Sequence, residues 1–179
     1  RYERPQRGRE REFWQLNVDM FGVDEIAGEA EVIMMADGVM KAFGAKDKDF
    51  VIKINNRKLI NFMMAQYLGL DAVQAQLMVK LFDRKDKIGS VEFSDQAREI
   101  LGEAAIEGLP KIDALLNAKS MAELPVEIRN SSVVEEVQEL FTLLERGGVK
   151  SAIFDITLMR GLDYYTGTVF EVFDMDPDN

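Results

Sequence analysis

The 179-residue chain contains no cysteine and no histidine. Without cysteine there is no disulfide, no thiolate nucleophile and no cysteine-based zinc site, which agrees with a cytoplasmic setting. Without histidine, Ser-His-Asp catalysis, Cys-His catalysis and His-ligated metal sites are excluded within the chain, so no metal-ligand set is expected. No apolar run approaches the roughly 18 residues that a membrane span needs, and no signal-peptide pattern opens the chain. Any chemistry carried here must rest on arginine electrostatics, on carboxylates, or on groups that a substrate brings with it.

What is present is ordinary in bulk and uneven in detail. The composition, 47% hydrophobic and 30% charged, is that of a globular protein. The net charge of −10 argues against broad, unspecific nucleic-acid binding, which requires a positive field. Residues 1–12 nevertheless hold five arginines against Glu3, Glu10 and Glu12. A local cationic patch on an acidic body suits a small polyanion better than a long duplex, and leaves room for a nucleic acid docked at one face. The chain begins at Arg1 inside a strand-like run and ends in a polar turn, so both ends are expected to be cut from a longer protein.

The pattern alternates between strand and helix at either end and is helical in the middle. Residues 12–21 have period two, with Phe13, Gln15, Asn17, Asp19 and Phe21 on one face and Trp14, Leu16, Val18 and Met20 on the other. That polar row also describes the solvated face of an antiparallel sheet. Residues 27–43 predict a helix whose stripe is Val32, Met35, Ala36, Val39, Met40 and Phe43, ended by Gly44. Residues 50–55 read as a strand. From Arg57 to Asn130 the periodicity is helical: one stripe of Ile60, Met63, Met64, Tyr67 and Leu68 ending at Gly69, a second of Val73, Leu77 and Leu81, an N-cap at Ser94, and a short helix opened by Leu109-Pro110. Its methionines read as core filler. Ser132-Val-Val-Glu135 is a capping-box sequence starting a helix with Val133, Val134, Val137, Leu140, Phe141 and Leu144 on one side, closed by Gly147-Gly148. Strands are expected over 150–159 and 166–174. The fold class is α/β (α+β): an antiparallel sheet flanked by helices, with residues 1–56 and 131–179 as core and 57–130 as a helical insertion.

Two segments carry chemistry. Arg1-Tyr-Glu-Arg-Pro-Gln-Arg-Gly-Arg-Glu-Arg11 reads as a hairpin with Arg4, Arg7 and Arg9 at its loop. Arginine makes bidentate phosphate contacts and stays charged when partly buried; a solvated charged hairpin is the plainer reading. Arg160-Gly-Leu-Asp-Tyr-Tyr165 sits on a bend before the turn at Thr166-Gly167, where tyrosines can wall a pocket or simply fill a core.

Taken together, the segments identify a resemblance. Residues 1–15 resemble motif 2 of the class II aminoacyl-tRNA synthetases, and Arg160–Tyr165 is similar to the signature peptide of histidyl-tRNA synthetases, a family that also carries a helical domain between the two, near the tRNA acceptor arm. The resemblance implies ATP-dependent activation of L-histidine to histidyl-adenylate, transfer to tRNA(His), ATP as substrate, Mg²⁺ on its outer phosphates, and a homodimeric full-length protein. It implies Arg1 and Arg160 on the α-phosphate, with Arg1 also on the histidine carboxylate. Glu3 would lie on the nucleotide side, Arg9 and Arg11 toward the outer phosphates or acceptor end, and Phe13 against adenine. Gln15, Asp19, Tyr164 and Tyr165 would bind histidine. Trp14 stands where many members have histidine. Asp19 stands where the familiar bacterial pattern has glutamate, a carboxylate set back by about 1.5 Å. Motif 1, the upstream Thr/Glu segment, the second glycine-rich signature, motif 3 and the anticodon-binding domain have no counterpart here, so half of such a site is expected, inactive alone. The alternative within the same fold is the synthetase-like, non-catalytic regulatory subunit of ATP phosphoribosyltransferase, which senses histidine in its biosynthesis.

Overall fold

Phe50-Val-Ile-Lys-Ile54 alternates β-branched and aromatic residues with one lysine, and it forms the centre of the sheet. In the computed structural model, which describes residues 12–159 and 165–176, strand β1 (Phe50–Asn56) lies between β2 (Ala152–Phe154) and β3 (Thr168–Asp174). β2 runs parallel to β1, with Ile54 opposite Phe154; β3 runs antiparallel, with Ile54 opposite Phe170 and Lys53 opposite Glu171. A parallel neighbour requires a long crossover, and here the crossover is the whole helical stretch between β1 and β2. The expected α/β class with a helix-flanked sheet is found, one strand pairing antiparallel and the other parallel.

Alternation gives the sheet two unlike faces. Ile52, Ile54, Phe170 and Val172 face a core shared with Ala30 and Ile33 of α1 (Ile26–Ala42) and with Leu140 and Leu144 of α7 (Ser132–Arg146). Ile52 and Ile54 are fully buried, each contributing roughly 1.5–3 kcal/mol of hydrophobic stabilisation. The opposite face carries Val51, Lys53, Glu171 and Phe173. There the Lys53 ammonium lies 2.8 Å from Asp155 and 4.7 Å from the centre of the Phe173 ring, a charge satisfied by a carboxylate and by an aromatic face.

The second core is helical. Helices α2 (Arg57–Phe62), α3 (Ala72–Asp83), α4 (Ser90–Leu101), α5 (Ala105–Asn117) and α6 (Val126–Arg129) bury Leu59, Ile60, Met78, Phe82, Phe93, Ile112 and Ile128, and Met63, Met64, Val134, Ile156 and Met159 join them. α2 runs into a π turn (Met63–Tyr67) ending near Gly69, whose φ of +69° suits glycine. The stripe expected from Ile60 to Leu68 is the one that packs, with Tyr67 at its margin.

Several local expectations are corrected. Residues 13–21 join no strand ladder: beyond an isolated bridge at Glu12 they run as exposed chain, with Trp14 at 103% exposure. Period two prepares a surface for pairing but does not supply the partner, and among the described residues, 13–21 are not paired with β1, β2 or β3. The expected strand over 150–159 shrinks to three residues, and the last strand begins at Thr168. α1 buries Ala30, Ile33 and Asp37 most deeply; of the face predicted for it Val32, Ala36, Val39 and Met40 are half-buried, whereas Met35, and Phe43 just beyond the helix, are exposed. On the buried face Ala30 and Ile33 join the sheet core, and Asp37 is satisfied there by accepting a bond from Ser151 Oγ at 2.7 Å and pairing with Lys41 at 2.8 Å. In α3 Met78, Val79, Leu81 and Phe82 are buried, whereas Val73 and Leu77 are exposed.

Caps also moved. Ser94 lies inside α4, which starts after Gly89, and Pro110 lies inside α5 instead of opening a helix. Ser132 is the first residue of α7 and its neighbour Ser131 donates to the Ile128 carbonyl, so the 132–135 sequence caps nothing. The capping box is at Asp71 and Gln74, where Asp71 Oδ1 accepts from the Val73 and Gln74 amides and the Gln74 side chain answers.

Candidate active site

The end of β1 organises the surroundings of the 160–165 segment. Asn55 is fully buried, and its Nδ2 donates to the carbonyls of Ile156 at 3.2 Å and Leu158 at 3.3 Å, while its Oδ1 accepts the Asn56 amide at 2.9 Å. A buried amide with three satisfied bonds is a rigid anchor; here it fixes the chain leading toward residue 160. Asp155 adds a local turn, Oδ1 accepting from the amide of Thr157 at 2.9 Å and from its hydroxyl at 2.6 Å. Burial pushes the Asp155 carboxyl up, but the bonds from Lys53 and Thr157 outweigh it and hold the group below its usual range.

The returning chain is anchored by the next residue. Asn56 caps α2 by accepting the Lys58 amide at 2.8 Å and offers its Nδ2 to Thr168 Oγ1 at 3.5 Å. The Arg57 amide donates to the Gly167 carbonyl at 2.8 Å. From α1, the Glu29 carboxylate accepts the Thr168 amide at 3.4 Å and the Thr168 hydroxyl. Tandem asparagines at the end of an apolar strand were the visible signal for these anchors, which the periodicity reading passed over; Glu29 and Thr168 had none, being 139 residues apart.

Of the residues singled out in sequence, Arg1, Glu3, Arg9, Arg11, Arg160 and Tyr164 lie outside the described residues. Tyr165 is 41% exposed just before β3. Phe13, Gln15 and Asp19 lie on the exposed stretch before α1, and Gln15 Nε2 donates to Asn17 Oδ1 at 2.7 Å, joining two members of the expected polar row. That stretch crosses α1 closely at Gly28, where a Cβ would sit 2.9 Å from Val23 Cγ1 and 3.0 Å from Met20 Sδ. Among the described residues no three carboxylates gather to hold a metal ion, and no helix is long and apolar enough to cross a membrane. Among the described residues, the chain before residue 160 is tied to the buried Asn55 amide, and the chain after Tyr165 is tied to Asn56 and to the Glu29 carboxylate.

Comparison with known proteins agrees with that architecture. The family description "Histidyl-tRNA synthetase" matches residues 1–178. The histidine–tRNA ligase of Leptospira biflexa is 36% identical over 182 residues, covering 100% of this chain and 41% of the relative. The crystal structure of histidyl-tRNA synthetase from Nostoc superposes with a TM-score of 0.72 at 25% identity, over 86% of this chain and 38% of that one. A Bacillus halodurans structure described as an ATP phosphoribosyltransferase regulatory subunit/histidyl-tRNA synthetase shares the fold, with a TM-score of 0.58 at 21% identity, over 86% of this chain and 40% of that one. The chain thus spans about two fifths of the length of the relatives it matches. It belongs to the histidyl-tRNA synthetase family.

Proposed function

We propose that the complete gene product is a histidine–tRNA ligase, and that this chain supplies the motif 2 and histidine-signature walls of its catalytic site. The observation that carries the reading is the family match over residues 1–178, which takes in both arginine-bearing segments in one chain. Formation of the adenylate needs no protein base. A carboxylate oxygen of histidine attacks the α-phosphorus of ATP, the bond from that phosphorus to the bridging oxygen breaks, and pyrophosphate leaves. A terminal ribose hydroxyl of tRNA(His) then attacks the carbonyl carbon and AMP leaves. The protein's task is to align the carboxylate and to stabilise charge on the phosphate oxygens.

In this reading Arg1 and Arg160 flank the α-phosphate, Phe13 stacks on adenine, and Glu3, Arg9 and Arg11 serve the nucleotide. Gln15, Asp19, Tyr164 and Tyr165 hold histidine. The absence of histidine from the chain is then of no consequence, because the substrate carries the nucleophile. Mg²⁺ would arrive on the outer phosphates of ATP; the described carboxylates do not form a site for it. The protein would work in the cytoplasm as a homodimer, with residues 57–130 as a helical insertion between the two core segments.

The fold shared with the Bacillus halodurans protein favours one second reading, a histidine-sensing regulatory subunit that charges no tRNA. Histidine-dependent exchange of pyrophosphate into ATP separates the two. The complete protein should catalyse it, and Arg160→Ala should lower the rate about 10²- to 10³-fold, the loss typical of one donor to a developing phosphate charge. Histidine binding without exchange would support the regulatory subunit instead.

A further inference from the structure

The Glu29 carboxylate stands out because it leaves its own helix to complete another element. It projects from the first turn of α1 and meets the chain at Gly167 and Thr168, two and three residues after Tyr165. The Thr168 hydroxyl donates its one proton to Glu29 and accepts from Asn56 Nδ2 at 3.5 Å, so its O–H direction is set by the carboxylate. Gly167 is fitted to the same carboxylate: a Cβ there would lie 2.7 Å from Glu29 Oε1. The β1–β3 ladder ends at the Asn56–Thr168 pair. Beyond that pair the route back to Tyr165 runs through a glycine, whose backbone has the widest freedom of any residue.

We propose that Glu29 is a positioning residue for Tyr165, acting through Gly167 and Thr168 to fix where the tyrosine enters the histidine pocket. This rests on the assignment of Tyr165 to the wall of that pocket. α1 thereby sets the affinity for the amino acid, although no residue of that helix is placed against the substrate. The role differs from fold cement, since the ladder already holds the Thr168 backbone and the carboxylate adds its bonds at the last ladder position.

The test is pyrophosphate exchange by the complete gene product, with melting temperature measured in parallel. Glu29→Ala should raise the KM for histidine at least tenfold, with the KM for ATP changed less than twofold and kcat less than threefold. Glu29→Gln, which keeps an oxygen for the Thr168 hydroxyl, should bring the KM back to within threefold of the unsubstituted protein. Gly167→Ala should raise the KM for histidine by itself and add little in the Glu29→Ala background, because the two substitutions disturb one contact. An unchanged KM with a lowered melting temperature would reduce Glu29 to a structural role and overturn the proposal while leaving the ligase standing. Independent, multiplying effects of Glu29 and Gly167 would overturn it equally. Absence of exchange with every amino acid would sink the ligase reading alone, and the same fold-changes in calorimetric histidine affinity then decide the role of Glu29. Absence of histidine binding as well would overturn both.

Discussion

At the scale of single residues, the site is arranged by polar side chains whose partners are backbone groups far away in sequence. Asn55 is the clearest case, its Nδ2 reaching two carbonyls about a hundred residues on, while Asp155 is held locally by Thr157 and across the sheet by the Lys53 ammonium. The depressed Asp155 carboxyl makes a definite acid-limb prediction. Its folded value lies below the unfolded one, so its contribution to stability is complete above the ordinary aspartate value near ~3.9 and disappears as pH falls through the lower folded value. Asp155→Asn should therefore melt below the parent at pH 6, and the gap should close as pH is lowered past 4. A gap constant from pH 6 to pH 2 would show that the charge contributes nothing. These anchors were hard to see in the sequence for a physical reason. Hydrophobic period reports which face is buried, whereas Asn55 and Glu29 each act by two hydrogen bonds across more than a hundred residues, which no local pattern encodes.

Among the elements, legibility followed the source of each element's stability. β1, α7 and the helix leading into the π turn were readable because their apolar residues repeat with one clear period and the same residues are buried. α1 was readable as a helix but not in orientation. Apolar side chains lie on more than one side of it, and the side that turned inward carries Ala30 and Ile33 together with an aspartate that finds a serine and a lysine partner. Residues 13–21 had the period of a strand without the pairing that makes one. Capping gave the sharpest contrast: the S-x-x-E sequence at Ser132 makes no cap, while Asp71 makes two bonds to backbone amides and is answered by Gln74. Asp71→Ala should lower the free energy of unfolding by about 1 kcal/mol in urea titrations, and Ser132→Ala should change it by less than about 0.5 kcal/mol. Equal effects would mean that the assigned cap contributes no more than a surface serine.

For the molecule as a whole, two cores meet through α7 and the end of β2, with Val134, Ile156 and Met159 belonging to the helical one and Leu140 and Leu144 to the sheet. Ile112 lies deep in the helical core, and Ile112→Ala should destabilise it by about 2–5 kcal/mol. Amide exchange should then quicken throughout α3, α4 and α5 while β1 keeps its protection; uniform quickening would show that the two cores open as one. The placement of β1 has a bearing on time as well as on stability. Its partners lie about a hundred residues further along, Asn55 meeting Ile156 across a separation of 101, whereas the helices between are built from near neighbours. A growing chain can assemble the helices as each emerges, but β1 must wait for β2 at residues 152–154, and its other edge stays unpaired until residue 174 has been made. Synthesis at about 5–20 residues per second leaves that strand exposed for roughly 6 to 25 seconds. The order of the sequence therefore makes β1 the segment most in need of shelter during translation, and Lys53 at its middle is the one charge that interrupts an otherwise aggregation-prone run.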